Sequence, residues 1–146
     1  MVTMPKKILY IREILTESLP ATATLTLTFE LRRKNNLRTK LDSGSDVLLA
    51  LPHGHVLHND EVLRSEDGII VRVIAAKEKV STAYTRDTFT LTRTCYHLGV
   101  RHVPIQIGID WVRYKYNPIV DDMVKAMGLE VREEEAPFDP ESILQI

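Results

Sequence analysis

Thr94-Cys95-Tyr96-His97-Leu98-Gly99-Val100-Arg101-His102-Val103-Pro104-Ile105-Gln106 decides how the second half of this chain folds. Leu91, Cys95 and Leu98 recur at helical spacing behind Asp87, a capping residue, and this predicts a helix running to Leu98. Gly99 is a natural stop. Val103 then opens a strand over 103–107. His102 falls on the short connection between the two, a position that suits a metal-ligating imidazole.

Outward from that stretch, residues 79–84 read as a strand before the helix. Residues 111–114 read as a strand after it, with Gly108-Ile109-Asp110 as the intervening turn. Asn117-Pro118 is a helix start: a capping side chain, then proline at the first helical position. Ile119, Val120, Met123, Val124 and Met127 supply its apolar face, Gly128 ends it, and 129–133 form a last strand. The order β-α-β-β-α-β predicts a ferredoxin-like split βαβ domain. Residues 136–146, with two prolines and mixed charge, read as a flexible tail.

The first half has a different texture. Residues 22–31 alternate Thr with Leu or Phe, the period of a half-buried strand. A turn cluster over 41–46 precedes a short strand at 47–51, stopped by Pro52. Glu66-Asp67-Gly68 is a hairpin signal joining 61–65 to 69–75. The fold class is therefore α+β. A small all-β N-terminal domain over 1–76, whose sheet edge suits an extended peptide by strand addition, precedes the ferredoxin-like domain over 77–135.

Composition narrows the function. The 146 residues are 44% hydrophobic and 27% charged, enough apolar content to bury a core, and the net charge of −1 gives no field toward nucleic acid or anionic lipid. The basic run Leu31-Arg32-Arg33-Lys34-Asn35-Asn36 reads as a solvated strand end and turn. One cysteine, Cys95, excludes an intramolecular disulfide and a multi-cysteine zinc site. No apolar run has membrane-spanning length, and residues 1–10 lack a signal-type core. The expectation is a soluble, cytoplasmic protein.

The opening stretch closely resembles the signature Tyr-His-Leu-Gly-Asn-Arg-His-Val-Pro-x-Gln of the UreE family of urease accessory metallochaperones, and departs from it at Val100. Leu51-Pro52-His53-Gly54 resembles that family's Leu-Pro-Arg-Gly turn. Glu66-Asp67-Gly68, Val73-Ile74-Ala75-Ala76-Lys77-Glu78, Val112-Arg113-Tyr114, Asp121-Asp122-Met123, Gly128-Leu129 and Ala136-Pro137-Phe138-Asp139-Pro140-Glu141 follow in the family's order. The resemblance implies a peptide-binding-like N-terminal domain and a homodimer formed through the C-terminal domains. It also implies Ni(II) as cargo, with Zn(II) or Cu(II) able to take its place, passed to the urease apoprotein through an accessory GTPase. His102 from each of two subunits would then hold one metal ion, and affinity would fall as pH drops into the range where imidazole takes up a proton.

The other candidates read as structural. His97 lies near the helix end, where a polar or cationic side chain suits the helix dipole. His53, His55 and His58 form a tempting cluster, but they sit in what reads as a solvated loop. Cys95 lies on the apolar face of its helix with no neighbouring base. Tyr114 and Tyr116 are read as packing over a dimer surface. Two departures from the family stand out. Tyr116-Asn117-Pro118 occupies the place of a His-x-His, and Ser142 to Ile146 contains no histidine. Three functions compete: a non-enzymatic nickel carrier for urease maturation, a dimeric binding or scaffold module that has lost efficient metal delivery, and a small enzyme. The last is disfavoured, because no nucleophile–base pair, phosphate loop or cluster of catalytic carboxylates is present.

Overall fold

The computed structural model describes residues 7–142. It is mixed α+β, mostly strands with three short helices, and separates into two compact units, Met1–Ala76 and Lys77–Ile146.

The first unit is a six-stranded sheet. Its strands are β1 (Ile8–Leu15), β2 (Ala23–Leu27), β3 (Asn36–Lys40), β4 (Asp46–Ala50), β5 (Val62–Ser65) and β6 (Ile70–Ala75), in the spatial order β2-β6-β5-β1-β4-β3. The β1–β4 and β2–β6 pairs are parallel and the others antiparallel. Alternating residues on one face form the core, with Ile11, Leu25, Val47, Leu63, Val71 and Val73 all at 0% exposure. Gly68 turns the β5–β6 hairpin at φ +85°, a conformation Asp67-Gly68 supplies without strain.

Two expectations for this unit are corrected. The alternating run over 22–31 is not one strand, so the domain is not all-β. Pairing ends at Leu27, and helix α1 (Phe29–Arg32) follows, with the Thr28 hydroxyl accepting from the Leu31 N–H at 3.4 Å. Phe29 and Arg32, one helical turn apart, point into the core. Arg32 is therefore not solvated. It is 0% exposed and donates through Nε to the Leu27 carbonyl at 3.2 Å and through Nη1 to the Leu57 carbonyl at 3.0 Å.

The β2 edge of this sheet is occupied. Asp42, in the turn after β3, accepts from the hydroxyls of Thr24 and Thr26, both at 2.7 Å, and from the Thr26 N–H at 3.2 Å. Its own N–H bonds the Thr24 carbonyl at 3.0 Å. The sheet thus curls until its first and last strands approach. The other edge, β3, carries exposed Arg38 and Lys40.

In the second unit, β7 (Lys77–Tyr84), α2 (Thr88–Val100), β8 (Gln106–Ile107), β9 (Trp111–Lys115), α3 (Pro118–Ala126) and β10 (Glu130–Pro137) follow one another. The sheet order is β10-β7-β9-β8, with every neighbouring pair antiparallel. Ala83, Leu98, Val112, Tyr114 and Val124, all at 0% exposure, form the core between the sheet and its helices. Helix α3 forms as its sequence predicts: the Asn117 side chain accepts from the N–H groups of Ile119 and Val120, and Gly128 takes φ +102° past its end. Gly108 is needed for space, since a Cβ there would lie 2.1 Å from the Trp111 ring.

Four further expectations change. Helix α2 runs through Gly99 to Val100. The strand expected over 103–107 is only Gln106–Ile107. Tyr114 is not a surface residue: it is fully buried, with its hydroxyl 2.5 Å from Asp121 Oδ1. And the tail does not begin at 136. Strand β10 continues to Pro137, pairing Ala136 with Glu78 and Pro137 with Lys77, and Phe138 is 1% exposed. Residues 143–146 lie outside the described part.

Candidate metal site

His102 sits at the end of α2 in an unusual backbone state. The helix closes with a complete Schellman motif: the Val103 N–H bonds the Leu98 carbonyl at 3.0 Å, and the His102 N–H bonds the Gly99 carbonyl at 3.0 Å. That closure demands one residue in the left-handed region, and His102 takes it at φ +60°. Glycine or asparagine usually fills this place, because a Cβ there crowds the following carbonyl. Leu98 and Val103 both pack into the same apolar core, the hydrophobic contact that accompanies such a cap. His102 itself is exposed. The site is thus an imidazole on a rigid, strained backbone corner, open to solvent.

Its surroundings are sparse in ligands. Arg101 directs Nε to the Met123 sulfur at 3.2 Å. His97 is half-buried and meets the Tyr96 ring edge-on, with centroids 5.4 Å apart. Cys95 is partly buried, and burial raises its thiol pKa, which makes the free thiol unreactive. Among the described residues, no three His, Cys, Asp or Glu side chains gather where they could hold one ion.

The first unit's histidines have other partners. His55 Nε2 lies 3.2 and 3.0 Å from the two carboxylate oxygens of Glu61, and Glu61 Oε1 also accepts from the His58 N–H at 2.8 Å. The loop is tied by its own carboxylate, and His53 stays exposed on the turn. Sequence reasoning overlooked Glu61. The signal was a carboxylate just past the third histidine, but only the folded loop brings it back to His55.

Helix α2 also exposes apolar surface. Phe89, Tyr96 and Val100 are 69%, 67% and 59% exposed, and their spacing puts them on one face of the helix. Ile119, in the first turn of α3, is 82% exposed. No helix among the described residues is long and apolar enough to cross a membrane.

The chain matches two family models in sequence. The model of the N-terminal domain of the UreE urease accessory protein covers residues 8–76, and that of its C-terminal domain covers residues 78–145. Among curated relatives, the urease accessory protein UreE of Alkalilimnicola ehrlichii is 48% identical over 133 residues, covering 91% of this chain and 82% of that protein. The protein of the same name from Paraburkholderia xenovorans is 48% identical over 119 residues, covering 82% of this chain and 53% of its own length. That of Shewanella halifaxensis is 43% identical over 130 residues, covering 89% and 76%.

Proposed function

The chain belongs to the UreE urease accessory protein family, and from that premise we propose that it is a nickel-binding metallochaperone that carries Ni(II) to the urease maturation complex. His102 is the metal ligand of the proposal. The observation that carries it is the left-handed backbone at φ +60° on a solvent-exposed histidine. Glycine would satisfy the same cap with less strain, so a histidine held there has a use beyond folding.

One imidazole does not make a metal site. A second copy of the chain related by a two-fold axis supplies a second His102, so one residue per chain becomes two ligands. The exposed apolar face of α2, ending just before His102, supports such a homodimer through the second unit. Water or groups from the receiving protein complete the coordination, which keeps the site open and release easy. Zn(II) and Cu(II) fit the same imidazoles. Transfer is ligand exchange, with no bond-breaking chemistry, between this chain and the urease apoprotein with its accessory GTPase in the cytoplasm.

We read the second unit, residues 77 to about 137, as a ferredoxin-like metal-binding and dimerisation domain. The strand order β10-β7-β9-β8 supports this, being what a βαββαβ chain produces when each helix crosses over one intervening strand. Residues 1–76 form the partner-facing domain of the proposal.

A second reading has one observation in its favour. Asn117, in the stretch where many family members carry His-x-His, is committed to capping α3 through both Ile119 and Val120. A chain without that pair could keep fold and dimer as a scaffold while delivering metal poorly. Nickel titration by calorimetry, with mass by light scattering, separates the two on this chain and on His102→Ala. One nickel per two chains, lost in the variant, is the carrier's result. Absence of specific nickel binding in the parent protein is the scaffold's.

A further inference from the structure

After His102, Val103 and Ile105 pack on the apolar core, but the segment has few backbone hydrogen bonds of its own. Strand β8 is two residues long, lies at the sheet edge and pairs only with β9, at Gln106↔Arg113 and Ile107↔Val112. An edge strand this short frays unless something else restrains it. Beyond that core packing, the restraint comes from the chain that follows the far-edge strand.

After β10 the chain crosses the helix-free face as a strap. The Pro137 carbonyl accepts from Arg113 Nη1 at 3.2 Å. The Asp139 N–H donates to Gln106 Oε1 at 3.0 Å, and the Glu141 N–H donates to the Ile105 carbonyl at 2.7 Å. Phe138 and Pro140, between these holds, are buried. Gln106 shares its cross-strand row with Arg113 and Thr82, on the face opposite the core pair Ala83 and Val112. His102 is therefore anchored from two sides: the Schellman cap fixes it upstream, and the strap grips the backbone just downstream.

We propose that Gln106 is a positioning residue for the metal site. By accepting the Asp139 N–H it keeps the strap on β8, and the strap fixes the backbone from which the His102 imidazole is presented. This rests on the reading of His102 as a ligand. The coupling is reciprocal, so a metal ion at His102 also tightens the strap.

The test is Ni(II) titration by calorimetry on the full chain, Gln106→Met, Gln106→Glu and His102→Ala, with amide exchange followed at Ile105 and Asp139. Gln106→Met removes the acceptor at similar volume and should weaken nickel binding by a few-fold to about tenfold, at or below the lower end for a partner bonded directly to a ligand, because Gln106 acts on His102 only through the strap. Gln106→Glu keeps an acceptor oxygen and should restore affinity. Nickel should slow exchange at the Asp139 amide in the parent and not in Gln106→Met, a response that a merely structural role does not produce. If Gln106→Met binds like the parent while His102→Ala does not bind, or if the Glu variant is as weak as the Met variant, the positioning role is overturned and the His102 site stands. If His102→Ala binds like the parent, the site reading fails and takes this inference with it. Should Gln106→Met fold poorly, Phe138→Leu loosens the strap with Gln106 in place, and unchanged nickel affinity there overturns the proposal.

Discussion

Val103 and Leu98 are joined by a 3.0 Å bond from amide to carbonyl, and that bond closes only because His102, beside Val103, has turned left-handed. The strain of this corner and its hydrogen bonds are separable by substitution. In His102→Gly the cap stays and the Cβ crowding goes; in His102→Ala the crowding stays and the imidazole goes. The glycine variant should be more stable than the alanine variant by about 1 kcal/mol, while neither binds nickel tightly. Urea unfolding of the two proteins measures the first and calorimetry the second. An alanine variant as stable as the glycine variant would show that the corner carries no strain.

Arg32 offers a second prediction. Its guanidinium reaches two carbonyls, Leu27 and Leu57, that are far apart in sequence, and water does not reach the side chain. Arg32→Met keeps much of the packing volume but leaves both carbonyls without this donor. The expected loss is roughly 2–4 kcal/mol in denaturant unfolding. Arg32→Lys should recover little, because one ammonium lacks the fork that serves two separated acceptors. Full recovery by lysine would mean that charge, not geometry, matters at this position.

Asp42 ties the sheet edges of the first unit, and its carboxyl should make that tie acid-sensitive. Burial works to raise its carboxyl, but the hydroxyls of Thr24 and Thr26 and the Thr26 amide outweigh it, so its pKa lies below the usual carboxylate value. A carboxyl lowered in the folded state stabilises above its unfolded pKa, about 4, and that contribution is lost as pH falls through the folded value. Protection of the Thr26 amide, relative to its intrinsic exchange rate at each pH, should therefore fall below about pH 4 while the sheet interior stays protected. Uniform exchange across the sheet at that pH would place the acid weakness elsewhere.

The parts of the fold that sequence reveals are those set by local chemistry. Asn117-Pro118 at one end and Gly128 at the other bound α3 because caps and left-handed glycines act on their own neighbours. What stayed hidden depends on distant partners. Arg32 sits in a basic run and reads as solvated, since nothing nearby shows that Leu57, 25 positions on, turns its carbonyl inward. The residues after Pro137 read as a loose tail because their anchor, Gln106, lies 33 positions before Asp139. At the candidate site, His102 was legible as a residue and its backbone was not. Gly99 looked like the stop, and only the Leu98–Val103 packing shows why the helix passes through it and leaves the left-handed corner to histidine.

Tyr114 and Asp121 give the last prediction, at the alkaline end. The hydroxyl is buried between sheet and α3 and bonds Asp121 Oδ1, itself 8% exposed. Burial first, and then the neighbouring carboxylate, push the tyrosine pKa far above its ordinary value. In the unfolded chain the phenol ionises near pH 10, whereas in the folded chain it stays protonated. A group whose pKa is raised on folding stabilises fully below its unfolded value, and that stabilisation fades as pH rises past it. The second unit should therefore lose stability steadily above about pH 10. Tyr114→Phe should be less stable than the parent at neutral pH by about 1–3 kcal/mol, because Asp121 loses its buried donor. Its stability should also fall less steeply above pH 10, since the ionising group is gone. Parallel alkaline slopes for parent and variant in thermal unfolding would assign the high-pH weakness to another group and leave Tyr114 a purely local support for α3.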